Sequence, residues 1–119
     1  MPVSKAAVSE EVLAVVWGQL AAFRVKDSPR AYNFASAALR AQTPLSAFER
    51  MVQRNYPEIW ANTRAEFGVV RDDGKRAKLV VQVFAKESEA SYDYVLFKEA
   101  EGWRIGSVLR HESRQADRS

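Results

Sequence analysis

The chain has 119 residues, 47% hydrophobic and 28% charged, with a net charge of +3, the profile of one soluble domain long enough to bury a core. It has no cysteine, which excludes disulfides and thiolate chemistry, and its single histidine, His111, argues against a His-rich metal centre. The pI near 9.4 does not mark a nucleic-acid partner, because the basic excess is scattered among acids, as in Glu49-Arg50, Arg71-Asp72 and Lys98-Glu99.

At the N-terminus, Glu10 and Glu11 precede the most apolar run and Lys5 is the one nearby base. This is not the layout of a signal peptide, and no run is long enough to span a bilayer. The expectation is a cytoplasmic protein with no membrane partner; a start trimmed of a signal would read the same. Val8, Val12, Val15, Val16, Gln19, Leu20 and Phe23 recur at helical spacing, with Trp17 widening the stripe. Ser9 is the expected N-cap, backed by Glu10 and Glu11 in the first turn, and Ser4 is the alternative start.

Asp27-Ser28-Pro29 ends this helix and opens a second, with Ser28 as cap and Pro29 at the first helical position. The run RAYNFASAAL carries it to Leu39. Thr43-Pro44 repeats the signal, and Leu45, Phe48, Val52 and Tyr56 mark a third amphipathic helix, stopped at Tyr56-Pro57. Pro57 to Asn62 reads as a loop pinned by Ile59 and Trp60.

From Thr63 the period becomes two. Ala65, Phe67 and Val69 alternate with Glu66, Gly68 and Val70 in a first strand, and Asp72-Asp73-Gly74-Lys75 forms a turn. Leu79 to Ala85 is nearly continuously apolar and reads as a central strand covered on both faces. The stretch Ser91 to Arg110 is a hairpin about Glu101-Gly102. Tyr92, Tyr94 and Leu96 share one face of its first strand, and Asp93, Val95 and Phe97 share the other. On its second strand Trp103, Ile105, Ser107 and Leu109 alternate with Arg104, Gly106, Val108 and Arg110, so that Arg104 and Arg110 share a face. Helices grouped before a meander imply an α+β fold, three helices on a curved antiparallel sheet of four or more strands. The whole reads as one domain over residues 1–111 followed by a flexible polar tail over 112–119. The expected core is Val12, Val16, Leu20, Phe23, Phe48, Val52, Phe67, Val81, Val83, Leu96 and Ile105.

Gln19-Leu20, Ala22-Phe23, Asp27, Tyr32, Phe34-Ala35-Ser36, Phe48, Met51-Val52, Tyr56-Pro57, Tyr94, Leu96 and Gly102-Trp103-Arg104-Ile105 together resemble the bacterial family catalogued as domain of unknown function 4864. The resemblance runs from about Val12 to Arg110 and rests on packing and turn motifs, which specify fold and say little of chemistry. Ala37 departs from the family pattern, where a proline would follow the Phe-Ala-Ser run. The resemblance implies a nuclear-transport-factor-2-like cone, a bent sheet closed by helices around a pocket.

In related cones with isomerase or dehydratase activity an inward carboxylate acts as base beside a hydrogen-bond donor, and Asp93 is the candidate here. Glu66 is a second acid of the same kind. The simpler reading of each is a solvated or ion-paired surface residue. Tyr32, Tyr92, Tyr94, Trp60 and Trp103 are the candidate pocket residues, for a small apolar or aromatic ligand; the simpler reading of each is core. His111 falls beyond the last strand and reads as surface, unless it folds over the cone mouth as a proton shuttle. No phosphate loop, nucleophile elbow, metal-ligand cluster or nucleotide fingerprint is present, so neither metal nor cofactor is expected. Asp93 and its flanking tyrosines should point to opposite faces of one strand, which separates a base from its donors. The expected function is therefore a non-catalytic module for small-molecule binding or protein interaction, with a cofactor-free isomerase or dehydratase as the alternative. The apolar outer sheet face predicts a homodimer through it.

Overall fold

The computed structural model describes residues 1–111, and the tail expected over 112–119 lies outside the described residues. Five helices come first: α1 (Ala6–Arg24), α2 (Ser28–Asn33), α3 (Ala37–Gln42), α4 (Leu45–Asn55) and α5 (Pro57–Trp60). Five strands follow: β1 (Arg64–Phe67), β2 (Arg71–Asp72), β3 (Arg76–Phe84), β4 (Glu89–Glu99) and β5 (Gly102–Arg110). The sheet is antiparallel in the order β1-β3-β4-β5, with β2 also paired to β3. Helices pack on one face only, which makes the fold α+β as the element order requires.

Helix α1 is organised by its stripe. Val12, Val16, Leu20 and Phe23 are fully buried, and the helix lies against β5 and α2. By length and composition α1 could cross a bilayer, with a mean hydropathy of 1.3; here its most apolar face closes the core. Neither expected serine caps it. The helix starts after Lys5, while the Ser4 hydroxyl bonds Asp72 and ties the N-terminal arm to β2. Its C-terminus is a Schellman turn: the Lys26 N–H reaches the Phe23 carbonyl and the Asp27 N–H the Ala22 carbonyl. Lys26 takes the left-handed position at φ 58°.

The expected second helix is broken in two. Phe34–Ser36 leaves the helix and pairs with β5: the Ile105 N–H donates to the Phe34 carbonyl, and the Ser36 N–H to the Ile105 carbonyl. Sheet pairing here overrides the helical propensity of the alanines. Asp27, not Ser28, caps α2 by accepting from the Arg30 N–H, and Ser36 caps α3 through the Leu39 N–H. Ala37 is thus the first residue of α3, a position that suits proline; its N–H instead donates to Glu99. Thr43 does not cap α4, whose first turn begins after Pro44. The expected loop after Tyr56-Pro57 is the single turn α5, with Ile59 buried.

The first expected strand is also split. At Gly68 the chain approaches Val80 so closely that a Cβ would sit 2.9 Å from its carbonyl oxygen. Val69 is left 60% exposed, and pairing resumes at β2. Strand β3 is covered on one face, not two: Ala77, Leu79, Val81 and Val83 are buried, whereas Arg76, Lys78 and Val80 are exposed. Every residue of the expected core is buried except Phe67, which is half-buried on the edge strand β1.

The second half of β5 departs most from simple alternation. Register against β4 shifts between Val95 and Leu96, so Leu96 faces Ile105 and Val95 faces Ser107, with Gly106 as the extra residue of a bulge. The bulge reverses the phase. Trp103 and Ile105 point inward before it, Val108 and Arg110 after it. Arg104 and Arg110 therefore lie on opposite faces, contrary to the plain period-two reading. A Cβ at Gly106 would lie 2.1 Å from the Phe97 ring, so a larger residue at the bulge would have to push that part-exposed ring aside.

Candidate functional site

A cavity of about 240 Å³ opens between α1, α4, α5 and the outer edge of β5. Phe23, Phe48, Met51, Val52, Ile59 and Ile105 are among the apolar side chains of its wall. Each comes from the inward stripe of its element. Among the described residues no Asp, Glu, Lys, Arg or His lines it. The polar groups that do are Gln19, Ser107, Tyr56 and the backbone of β5.

Gln19 is 5% exposed and anchors itself by donating from Nε2 to the Ala31 carbonyl at 3.0 Å. Tyr56 closes α4 and donates its hydroxyl to the Val108 carbonyl at 2.8 Å; burial raises its pKa. The strand ladder explains why that carbonyl is free. The His111 N–H donates to the Ser91 carbonyl, so by register Asp93 with Leu109 and Val95 with Ser107 are the hydrogen-bonded pairs. Val108 falls in the alternate pair, opposite Tyr94, and its N–H and C=O both turn away from β4 toward the open side.

Beside the cavity lies a buried polar hub. Glu58, 6% exposed, accepts from the Tyr92 hydroxyl at 2.6 Å, from Arg110 Nη2 at 3.0 Å and from the Ser88 hydroxyl at 3.1 Å. Burial opposes its charge, but the Tyr92 and Ser88 hydrogen bonds and the Arg110 guanidinium outweigh it, and its pKa is lowered. Burial, with the bond to Glu58, pushes the Tyr92 phenol well up. The hub ties α5, the turn between β3 and β4, and the end of β5 together. Both oxygens of Glu58 are engaged, which makes it a clamp and leaves no lone carboxylate facing the cavity.

The residues singled out from the sequence are not gathered at the cavity. Tyr32 shares its one hydroxyl proton between the carbonyls of Arg40 and Thr43 and packs edge-on against Phe48. Trp60 lies against Phe23, with Lys26 Nζ 4.4 Å above its ring. Tyr92 is committed to Glu58. Tyr94 is fully buried, its hydroxyl without a partner among the described residues, and burial raises its pKa strongly. Trp103 is buried and its Nε1 likewise lacks a partner among them. None of these five lines the cavity. Asp93 points away from the cone: it faces Leu109 across the outer sheet surface, with His111 Nδ1 2.8 Å from its carboxylate. An inward base beside a tyrosine donor is therefore not assembled. Glu66 is exposed and paired with Arg64. His111 belongs to the outer face, not the cone mouth. Among the described residues no group of three or more His, Cys, Asp or Glu side chains converges as a metal site.

Sequence reasoning missed Glu58 and the inward turn of Arg110. No signal marks a glutamate in a single-turn helix as buried, and the bulge that turns Arg110 inward has one faint sign, a glycine inside a strand.

Among curated proteins none matches this sequence. A crystal structure from Nostoc punctiforme, described as a domain of unknown function with a cystatin-like fold, is similar over 96% of this chain and 83% of its own, with 14% identity and a TM-score of 0.64. At that identity the likeness shows the fold alone. The profile of the family described as Domain of unknown function (DUF4864) matches residues 5–118, and the chain belongs to that family.

Proposed function

We propose that this protein is a non-catalytic binding module built on a nuclear-transport-factor-2-like cone, which holds a small apolar or aromatic molecule between its helices and β5. The observation that carries this reading is the cavity of about 240 Å³, walled largely by apolar side chains and lined by no Asp, Glu, Lys, Arg or His among the described residues. Acid–base catalysis needs a positioned proton carrier converging with a donor on one atom. Here Asp93 is outside and Glu58 is saturated, which weighs against an isomerase or dehydratase.

The second part of the proposal is a homodimer through the outer sheet face. Val69, Val80, Phe97 and Leu109 stand 60%, 37%, 38% and 64% exposed there, around a shallow concavity that also holds Arg71, Lys78 and Asp93. A patch of this kind marks an interaction surface. Basic groups on β2 and β3 and an acid on β4 suit a two-fold contact that sets one against the other. A cytoplasmic location goes with this reading, since α1 spends its apolar face on the core.

Native mass spectrometry of freshly purified protein tests both parts. The proposal expects twice the 13.4 kDa chain mass with a small retained adduct. A bare monomer at micromolar concentration would contradict it.

A further inference from the structure

The cavity's wall restricts what it can hold. Resting on the reading of the cavity as a ligand site, we propose that it selects an uncharged, largely apolar molecule carrying one hydroxyl-type group that both donates and accepts a hydrogen bond. Three observations converge on this chemistry.

The first is the missing counter-charge. No Asp, Glu, Lys, Arg or His lines the cavity among the described residues. Glu58 and Arg110 are paired with each other, and neither lines the cavity. A carboxylate or ammonium drawn in would lose its water and gain no opposite charge, a cost that excludes it.

The second is an acceptor. Gln19 is more than nine-tenths buried and held in place by its Nε2 bond to Ala31. Among the described residues no donor reaches its Oε1, although the side chain lines the cavity. An amide oxygen left open in this way accepts from a donor that enters beside it.

The third is a donor. The Val108 N–H faces the open side of β5 with its carbonyl, and among the described residues the carbonyl alone is taken, by Tyr56. An alcohol offers its proton to one group and its lone pairs to the other. The volume, about that of eight liquid waters, suits a short aliphatic or single-ring body.

Isothermal titration of the full chain with 1-octanol, octanoate and octylammonium tests the inference, the three probes sharing one chain and differing in head group. 1-Octanol is expected to bind and each charged probe to bind at least about tenfold more weakly. Gln19→Leu, close in volume, should weaken 1-octanol about fivefold. Val108→Pro removes an N–H that is outside the ladder and changes the cavity wall at the same point, so it should weaken 1-octanol by at least as much, with the fold intact by circular dichroism. It also stands as the reading if Gln19→Leu fails to fold. Octanoate or octylammonium binding as tightly as 1-octanol would overturn the inference while leaving a ligand site. Unchanged 1-octanol affinity in the folded variants would overturn it as well. Binding of none of the three would overturn both this inference and the ligand-site reading.

Discussion

Replacing Glu58 by alanine should destabilise the protein by about 2–5 kcal/mol, a large share of a domain's net stability. The magnitude follows from the hub. Tyr92 is fully buried, so loss of its acceptor strands a hydroxyl at a cost of about 1–3 kcal/mol. Arg110 is half exposed and regains water, so its share is small, about 0–1 kcal/mol. The Ser88 bond adds about 1 kcal/mol. Urea denaturation followed by tryptophan fluorescence would read the loss, which corresponds to about 10 °C in Tm. The double variant Glu58→Leu with Tyr92→Phe removes both partners and should recover about 1–2 kcal/mol relative to additivity. The pH dependence has a definite sign. The folded pKa of Glu58 lies below its ordinary 4.5, so its contribution is present above that value and fades as pH falls through the folded pKa. Glu58→Gln should flatten that acid limb. A loss under about 0.5 kcal/mol in Glu58→Ala, or strict additivity in the double variant, would refute the clamp.

Leu20→Ala and Ile105→Ala should each cost about 2–5 kcal/mol in the same assay, and an unchanged midpoint in both would misplace the core. Tyr94→Phe should leave stability unchanged or raise it, because its hydroxyl is buried without a partner among the described residues; a loss above about 1 kcal/mol would reveal a bond this packing does not contain. Leu109→Glu on the exposed outer face should leave far-ultraviolet circular dichroism intact and yield a 13.4 kDa monomer by light scattering. Wild type and variant of equal mass would remove the dimer proposal.

The inward stripes were legible because burial follows period. Val12, Val16, Leu20 and Phe23 at helical spacing, and Tyr92, Tyr94 and Leu96 at alternate positions, lie where their spacing puts them. The opposition of Asp93 to its tyrosines was legible for the same reason. The cavity was not. Its wall depends on α4 and α5 meeting an open strand edge, a contact between residues some fifty positions apart that no local pattern encodes. The large aromatics drew attention as pocket residues, yet their volume made them core. The break at Phe34–Ser36 arises from pairing with Ile105, and the inward turn of Arg110 from one extra residue at Gly106. Both are tertiary choices that override a local preference. The continuous apolar run at β3 misled in the opposite direction. Val80 looks inward by composition, but it belongs to the face that helices do not cover.

The account rests on an open apolar space beside β5, and xenon tests that space directly, since it enters dry apolar cavities without needing a polar partner. A crystal of the protein pressurised with xenon should show an anomalous peak between Phe48, Val52 and Ile105. The same peak should vanish when Met51 at the cavity wall is replaced by tryptophan. Side chains closed over that position, with no xenon in the wild type, would contradict the account.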